Sequence, residues 1–256
     1  MGTGGSRAPR RLVVGALLGG LAAAVSGCER PTHLTTPTSG SAGTNPVEFP
    51  EGPLDTASLL PYGGRYRTED GRAVTLDRVA GPPLDASGEV AFADPGFFRY
   101  EEVAAVASFT GPVACELGMF AFPATTVDGR DVAAHRRAAT VAFGDVAAVE
   151  RWEDARDATG ERLGFGADAG TGALYDVGSK KALDTLAEDV IGPLFREVIR
   201  VGFAAVVVDG RTAAVMFDCG VGDGWYPAYL GHDPQGSVVA VAADLELHHH
   251  LTRLTS

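Results

Sequence analysis

The hydrophobic positions of the chain fall into short runs separated by glycine, proline and aspartate, the spacing of strands joined by turns. Ala73–Val79 alternates loosely and predicts a strand, which Gly81-Pro82-Pro83 breaks. Leu84–Pro95 predicts a turn at Ser87-Gly88, a short strand, and a break at Asp94-Pro95, because a residue before proline is pushed toward extended or turn geometry. Val103–Phe109 and Val113–Val127 predict strands on either side of Gly111-Pro112. Asp128-Gly129 is a hairpin turn signal, with Ala138–Phe143 as the partner strand. Phe203–Val208 and Thr212–Phe217 flank Asp209-Gly210 and predict a second hairpin. Its apolar character on both faces places it at the centre of the sheet. Val238–Leu247 predicts the last strand. Two stretches change period. Asp145–Arg156 predicts a helix capped by Asp145, with Val146, Val149 and Trp152 or Glu153 at helical spacing. Ser179–Arg200 carries the stripe Leu183, Leu186, Val190, Leu194, Val198 and Ile199, with Gly192-Pro193 kinking or splitting the helix. The expected fold is a single α+β domain over residues 54–256, with a mainly antiparallel sheet and about two helical segments.

The N-terminal segment has a different pattern. Arg7, Arg10 and Arg11 precede an apolar stretch from Leu12 to Val25, shorter than the roughly 20 residues a spanning helix needs. Val25-Ser26-Gly27-Cys28 then resembles the bacterial lipoprotein cleavage box, which implies removal of residues 1–27 and lipidation of Cys28. Arg10-Arg11-Leu12-Val13-Val14 also resembles a twin-arginine export signal. Residues 28–53 are rich in threonine, serine, proline and glycine and read as a tether. The expected location is the extracytoplasmic face of the cell membrane, held by a lipid anchor.

Composition narrows the partners. Hydrophobic content of 45% predicts a packed core. The formal charge of −12 becomes −15 once the three leader arginines are removed. Such a surface repels phosphate backbones and anionic headgroups, so nucleic acid is excluded as a partner and membrane contact falls to the Cys28 anchor. Cys115 and Cys219 remain in the domain. A disulfide between them would close a loop of about 100 residues and stabilise by roughly 4–5 kcal/mol. Two buried thiols fit the sequence equally.

Candidate chemistry centres on Val215–Asp233, where Gly220, Gly222 and Gly224 alternate with Val221 and Asp223, and Trp225, Tyr226 and Tyr229 follow around Pro227. Asp168-Ala-Gly-Thr-Gly and Asp218-Cys-Gly-Val-Gly echo each other like the paired loops of aspartic proteases, although Val221 stands where a hydroxyl is expected. Asp168, Asp176, Asp223 and Asp233 could gather around calcium, but no EF-hand spacing is present, and capping of turns is the favoured role. His248-His249-His250 supplies one candidate pair of metal ligands without a third, so no metal site is expected. The chain has no Gly-x-Ser-x-Gly elbow, P-loop or His-Glu-x-x-His, and no cofactor is expected.

Four stretches together resemble the bacterial domain-of-unknown-function family 4241. They are Leu84–Pro95, Val149–Arg156 with Trp152, the run Gly164-Phe165-Gly166-Ala167-Asp168-Ala169-Gly170-Thr171-Gly172 followed by Asp176, and the block Gly220–Asp233. They occur in order between Leu84 and Leu247; Asp218-Cys219 departs from the pattern, where a serine commonly precedes the first glycine. The resemblance implies no known activity, substrate or cofactor. The leading functional expectation is a non-catalytic binding module for an envelope protein or small ligand. Its site would be formed by Asp168, Gly170, Gly172, Gly222, Asp223, Gly224, Trp225, Tyr226 and Tyr229. The alternative is an envelope hydrolase using Asp168, Asp223 or Asp233 as acid or base, and a third reading is a purely structural envelope protein.

Overall fold

The computed structural model describes residues 53–68, 71–97, 103–122, 125–127, 130–132, 135–168, 170–186, 188–220, 222–245 and 251–254. The leader over 1–27, the anchor Cys28, the tether up to residue 52, the Asp128-Gly129 turn and His248, His249 and His250 lie outside the described residues.

Strands take 54% of the described residues and helices 17%, so the expected α+β fold is corrected to a β-sandwich-like one. One sheet has the order β10 (Arg151–Asp154), β15 (Gly224–His232), β16 (Val238–Asp244), β9 (His135–Gly144), β6 (Gly111–Phe122), β3 (Asp77–Ala86), with β11 (Gly164–Ala167) also paired to β15. The second has the order β13 (Phe203–Val208), β14 (Arg211–Asp218), β12 (Thr171–Asp176), β4 (Glu89–Ala93), β5 (Ala107–Ser108). A three-stranded sheet joins β17 (Leu251–Arg253), β1 (Arg65–Thr68) and β2 (Ala73–Thr75), and β7 (Thr125–Val127) pairs with β8 (Arg130–Val132). Neighbouring strands in all of these pair antiparallel.

Side chains alternate across a strand, so each sheet offers two faces to bury. Between the sheets, Val90, Phe92, Leu174, Val215 and Phe217 of the five-stranded sheet meet Leu117, Val141, Phe143, Phe165, Tyr226 and Val241 of the seven-stranded one. Phe165 stacks on Phe92 at 5.4 Å between centroids and meets Phe217 edge-on at 5.9 Å. The outer face of the five-stranded sheet, with Tyr175, Ala204 and Met216, lies under α2 (Lys180–Leu183) and α3 (Glu188–Val201) through Leu183 and Val198. The outer face of the seven-stranded sheet is capped by α1 (Thr56–Leu59), where Leu59 and Leu60 pack with Trp152, Tyr229 and Ala240. Leu54 extends this cover by bridging to the β10 backbone at Trp152, and the Trp152 indole N–H donates to Thr56 Oγ1 at 3.1 Å.

The departures from expectation have local causes. Asp145–Arg156 is not a helix. Asp145 does cap, accepting from the Ala148 N–H at 3.3 Å, but the helical turn spans only Val146–Ala148. The chain then enters β10, because Trp152 is fully buried opposite Gly231, whose missing side chain makes room for its ring. Packing overrides a weak helical period here. Ser179–Arg200 splits between α2 and α3 rather than at Gly192-Pro193; Pro193 is exposed inside α3, where water can satisfy the carbonyl it orphans. Val190 and Ile199 leave the expected stripe and are exposed. Gly81-Pro82-Pro83 does not end its strand: β3 runs through it with a bulge between Gly81 and Leu84, on the edge of the sheet, where missing N–H groups are tolerated. The strand expected over Val103–Phe109 contracts to β5. The Asp209-Gly210 hairpin forms with φ of 51° and 77° at its two turn residues, but β13 lies at a sheet edge, not its centre.

Cys115 and Cys219 are buried thiols that no disulfide joins. Cys115 pairs with Phe143 on β9, whereas Gly220, beside Cys219, abuts the Ala138 carbonyl at the other end of that strand. The stretch from Ala138 to Phe143 spans about 16 Å, well beyond the roughly 5.5 Å between Cα atoms that a disulfide requires. Burial pushes the Cys115 thiol well above its ordinary range.

Gly172 shows how tightly the two sheets meet. A Cβ there would fall 2.5 Å from a Phe165 ring carbon and 2.7 Å from one of Phe217, whereas a Cβ on Gly166 would have nothing within 4 Å. Gly172→Ala is therefore expected to lose about 1–3 kcal/mol in urea unfolding, and Gly166→Ala to stay within about 0.5 kcal/mol. Equal effects would contradict this packing.

Candidate functional site

Strands β11 and β15 form a ribbon with one buried and one solvated face. Phe165 pairs with Tyr226, and both enter the core. By alternation Gly166 and its partner Trp225 point outward. Trp225 is 42% exposed. Its ring lies across Gly164, where a Cβ would sit 2.5 Å from Trp225 Cζ2. Asp168 and Asp223 lie one residue past the paired ends of the two strands, at the same end of the ribbon. Both aspartates are exposed, and among the described residues neither carboxylate has a hydrogen-bond or ion-pair partner.

Backbone contacts hold this end of the ribbon in place. The two glycine loops expected to meet do so: a Cβ on Gly170 would lie 3.1 Å from Gly222 Cα, and the Gly170 carbonyl accepts from the Cys219 N–H at 2.8 Å. Gly222 takes φ of 128°, open to few residues besides glycine. The buried Tyr226 hydroxyl donates to the carbonyls of Gly222 at 2.7 Å and Cys219 at 3.1 Å, so it ties down the loop. Asp94, at the end of β4, accepts from the Asp168 N–H at 2.7 Å and from Gly96 N–H at 2.6 Å. Burial, with the charges of Asp168 and Asp223 as smaller contributors, pushes the Asp94 carboxyl above its ordinary range.

Other expected site residues lie elsewhere or face inward. Asp233 occupies the turn at the far end of β15, about 30 Å of strand away, and accepts from the N–H groups of Gln235 at 2.9 Å and Ser237 at 2.8 Å. Asp176 is buried and accepts from Ser179 and Ser87; burial works against its ionised form, but these hydrogen bonds outweigh it and hold the carboxyl below its ordinary range. Gly172 is a packing residue in β12, and Gly224 opens β15 opposite Ala167. Tyr229 shares the outer face of β15 with Trp225 but lies farther along the strand, buried beneath the cover of α1, where Arg162 donates to its hydroxyl at 2.9 Å and pairs with Asp154 at 2.7 Å. Among the described residues, no group of three or more His, Cys, Asp or Glu is arranged to hold a metal ion. Asp94 and Arg137 are the contributors that motif reading passed over. Asp94 carried one signal, an aspartate before a proline that opens the short helical turn Pro95–Phe97.

Asp218 ends β14 beneath the loop. Its Oδ1 accepts from the Gly220 N–H at 2.6 Å and lies 3.9 Å from Arg137, whose guanidinium also donates to the Gly220 carbonyl. Burial pushes the Asp218 carboxyl up to about 6, against the opposing pull of Arg137 and the Gly220 N–H. Ionising it in the fold therefore costs on the order of 3 kcal/mol. A carboxyl raised by folding stabilises while protonated, and that contribution is lost as pH climbs from the usual carboxylate range through about 6. In urea unfolding, Asp218→Asn should gain on the wild type between pH 4 and pH 7.5 by up to about 3 kcal/mol. A difference that does not vary with pH would show that Asp218 titrates as an ordinary carboxyl.

No curated protein and no solved structure matches the chain. A family model described as protein of unknown function (DUF4241) matches residues 86–243, from the end of β3 almost to the end of β16 and including the whole β11–β15 ribbon. The chain therefore belongs to the DUF4241 family.

Proposed function

We propose that the protein is a lipid-anchored, extracytoplasmic binding module without catalysis, and that its ligand site is the outer face of the β11–β15 ribbon around Asp168, Asp223 and Trp225. The observation that carries this reading is two exposed carboxylates and a half-exposed tryptophan at one end of the ribbon, while the deeper aspartates are occupied by backbone N–H groups. A large aromatic kept in water beside uncompensated charge is what a recognition surface needs and a core does not. The hydrolase reading finds less support. Of its three candidate carboxyls, Asp233 is bonded within its own turn, and Asp168 and Asp223 stand exposed with no second acid or base bonded to either among the described residues.

The immobilised full chain should retain a ligand from envelope extract, and Asp223→Asn and Trp225→Ala, with unchanged unfolding midpoints, should lose it. Undiminished retention by both variants would overturn this placement. A measured hydrolysis abolished by Asp223→Asn would favour the enzyme instead. The anchor has its own test: Cys28→Ser should move the protein from the membrane fraction to the soluble one, and continued membrane retention would rule out lipidation at Cys28 as its hold.

A further inference from the structure

We propose that the protein pairs with a second copy of itself through the edge of β13, joining two five-stranded sheets into one continuous antiparallel sheet across a twofold axis. A strand at the edge of a sheet leaves alternate N–H and C=O groups without a strand partner, and proteins guard such edges with prolines, bulges, short strands or covering chain. Most sheet edges among the described residues carry such a guard. β3 is interrupted by its Pro82-Pro83 bulge. The opposite margin of the seven-stranded sheet is divided between β10 and β11, four residues each, and Leu54 pairs with β10 through both its N–H and its carbonyl. β5 is two residues long, and the three-stranded sheet and the β7–β8 pair end in strands of three residues.

β13 has none of these guards, and among the described residues no strand lies beyond it. It runs Phe-Ala-Ala-Val-Val-Val over six residues, with no proline and no charge. The irregularity in its pairing with β14 takes its extra residue, Ala213, from β14, so β13 itself is unbroken. Val207 on this edge is 58% exposed. Among the described residues only Ile199, on the helix that packs over β13, is a more exposed large apolar side chain. Such an edge accepts an extended strand, and that strand must itself bring a free edge. β13 of a second copy does so, and antiparallel pairing about a twofold axis satisfies both edges with the same residues. The axis stands perpendicular to the sheet, so α3 of each copy stays on one face and the two helices run antiparallel. α3 opens with Glu188 and Asp189; Arg196, which is exposed, and Arg200, which bonds Glu197, lie toward its end. The acidic start of each helix is thereby set toward the basic end of the other, with their dipoles opposed. One strand and one helix flank make a small interface, and the chain's net charge of −12 opposes the meeting of copies, so the dimer is of the weak, concentration-dependent class.

The test is sedimentation velocity of the full chain carrying Cys28→Ser, in which position 28 cannot be lipidated, at about 0.15 M salt to screen the repulsion. The sedimenting species is expected to shift from one copy toward two as the concentration rises to about 100 µM. Val207→Lys sets a charge on the exposed edge and is expected to weaken association at least about tenfold with an unchanged unfolding midpoint. A chain that stays single over the whole range would overturn the proposal, as would a dimer that the folded Val207→Lys variant retains. Hydrogen exchange of the parent chain locates the contact without that variant, and it decides should Val207→Lys fail to fold. Amides within Phe203–Val208 should exchange more slowly as concentration rises, and protection confined to other strands would overturn pairing through β13. If those amides slow only when envelope extract is added and the chain alone stays single, the edge takes a different protein and self-pairing is overturned.

Discussion

The Phe165 ring is the contact on which the arrangement of the molecule's candidate site depends. It belongs to a short strand of the larger sheet, yet it stacks on Phe92 and meets Phe217, both from the smaller one. Gly172 permits this approach by offering no side chain where the rings converge. With Phe165 and its partner Tyr226 drawn inward, alternation leaves Gly166 and Trp225 no choice but the outer face. A slip of one residue would bury Trp225 and expose two aromatic rings. Burial of one phenylalanine thus selects which residues meet solvent.

What was legible in the chain was mostly local. The Asp209-Gly210 hairpin, the turn at Ser87-Gly88 and the Asp145 cap all declare themselves through backbone preference, and all are present. What could not be read depends on partners distant in sequence. Trp152 at helical spacing from Val149 looks like part of an amphipathic turn until Gly231, nearly eighty positions on, supplies the groove that makes it a strand residue. Pro82-Pro83 looks like a terminator until β3 is seen at an edge. The meeting of the Asp168 and Asp223 loops was legible as two glycine-rich motifs of compatible character. Their register was not, since it comes from how β11 lies along β15.

The aspartates illustrate a general ambiguity. A carboxylate followed closely by glycine is the signature of a turn that accepts its own backbone N–H groups and also of a ligand loop. Asp94, Asp218 and Asp233 are of the first kind, each holding an N–H two residues ahead. Asp168 and Asp223 differ in being exposed at the end of the ribbon. Asp218 stands between the two classes: it shapes the loop, but its burial makes its ionised form costly, a strain more common near functional surfaces than in plain scaffolding.

The two prolines in β3 carry a consequence of a different kind. An exposed edge of a seven-stranded sheet is a template on which a second copy can add its own edge strand, and so on without limit. Pro82 and Pro83 take two N–H groups out of the strand, and the bulge they occupy throws the backbone out of step. The β3 edge is therefore a poor template for a strand from a second copy.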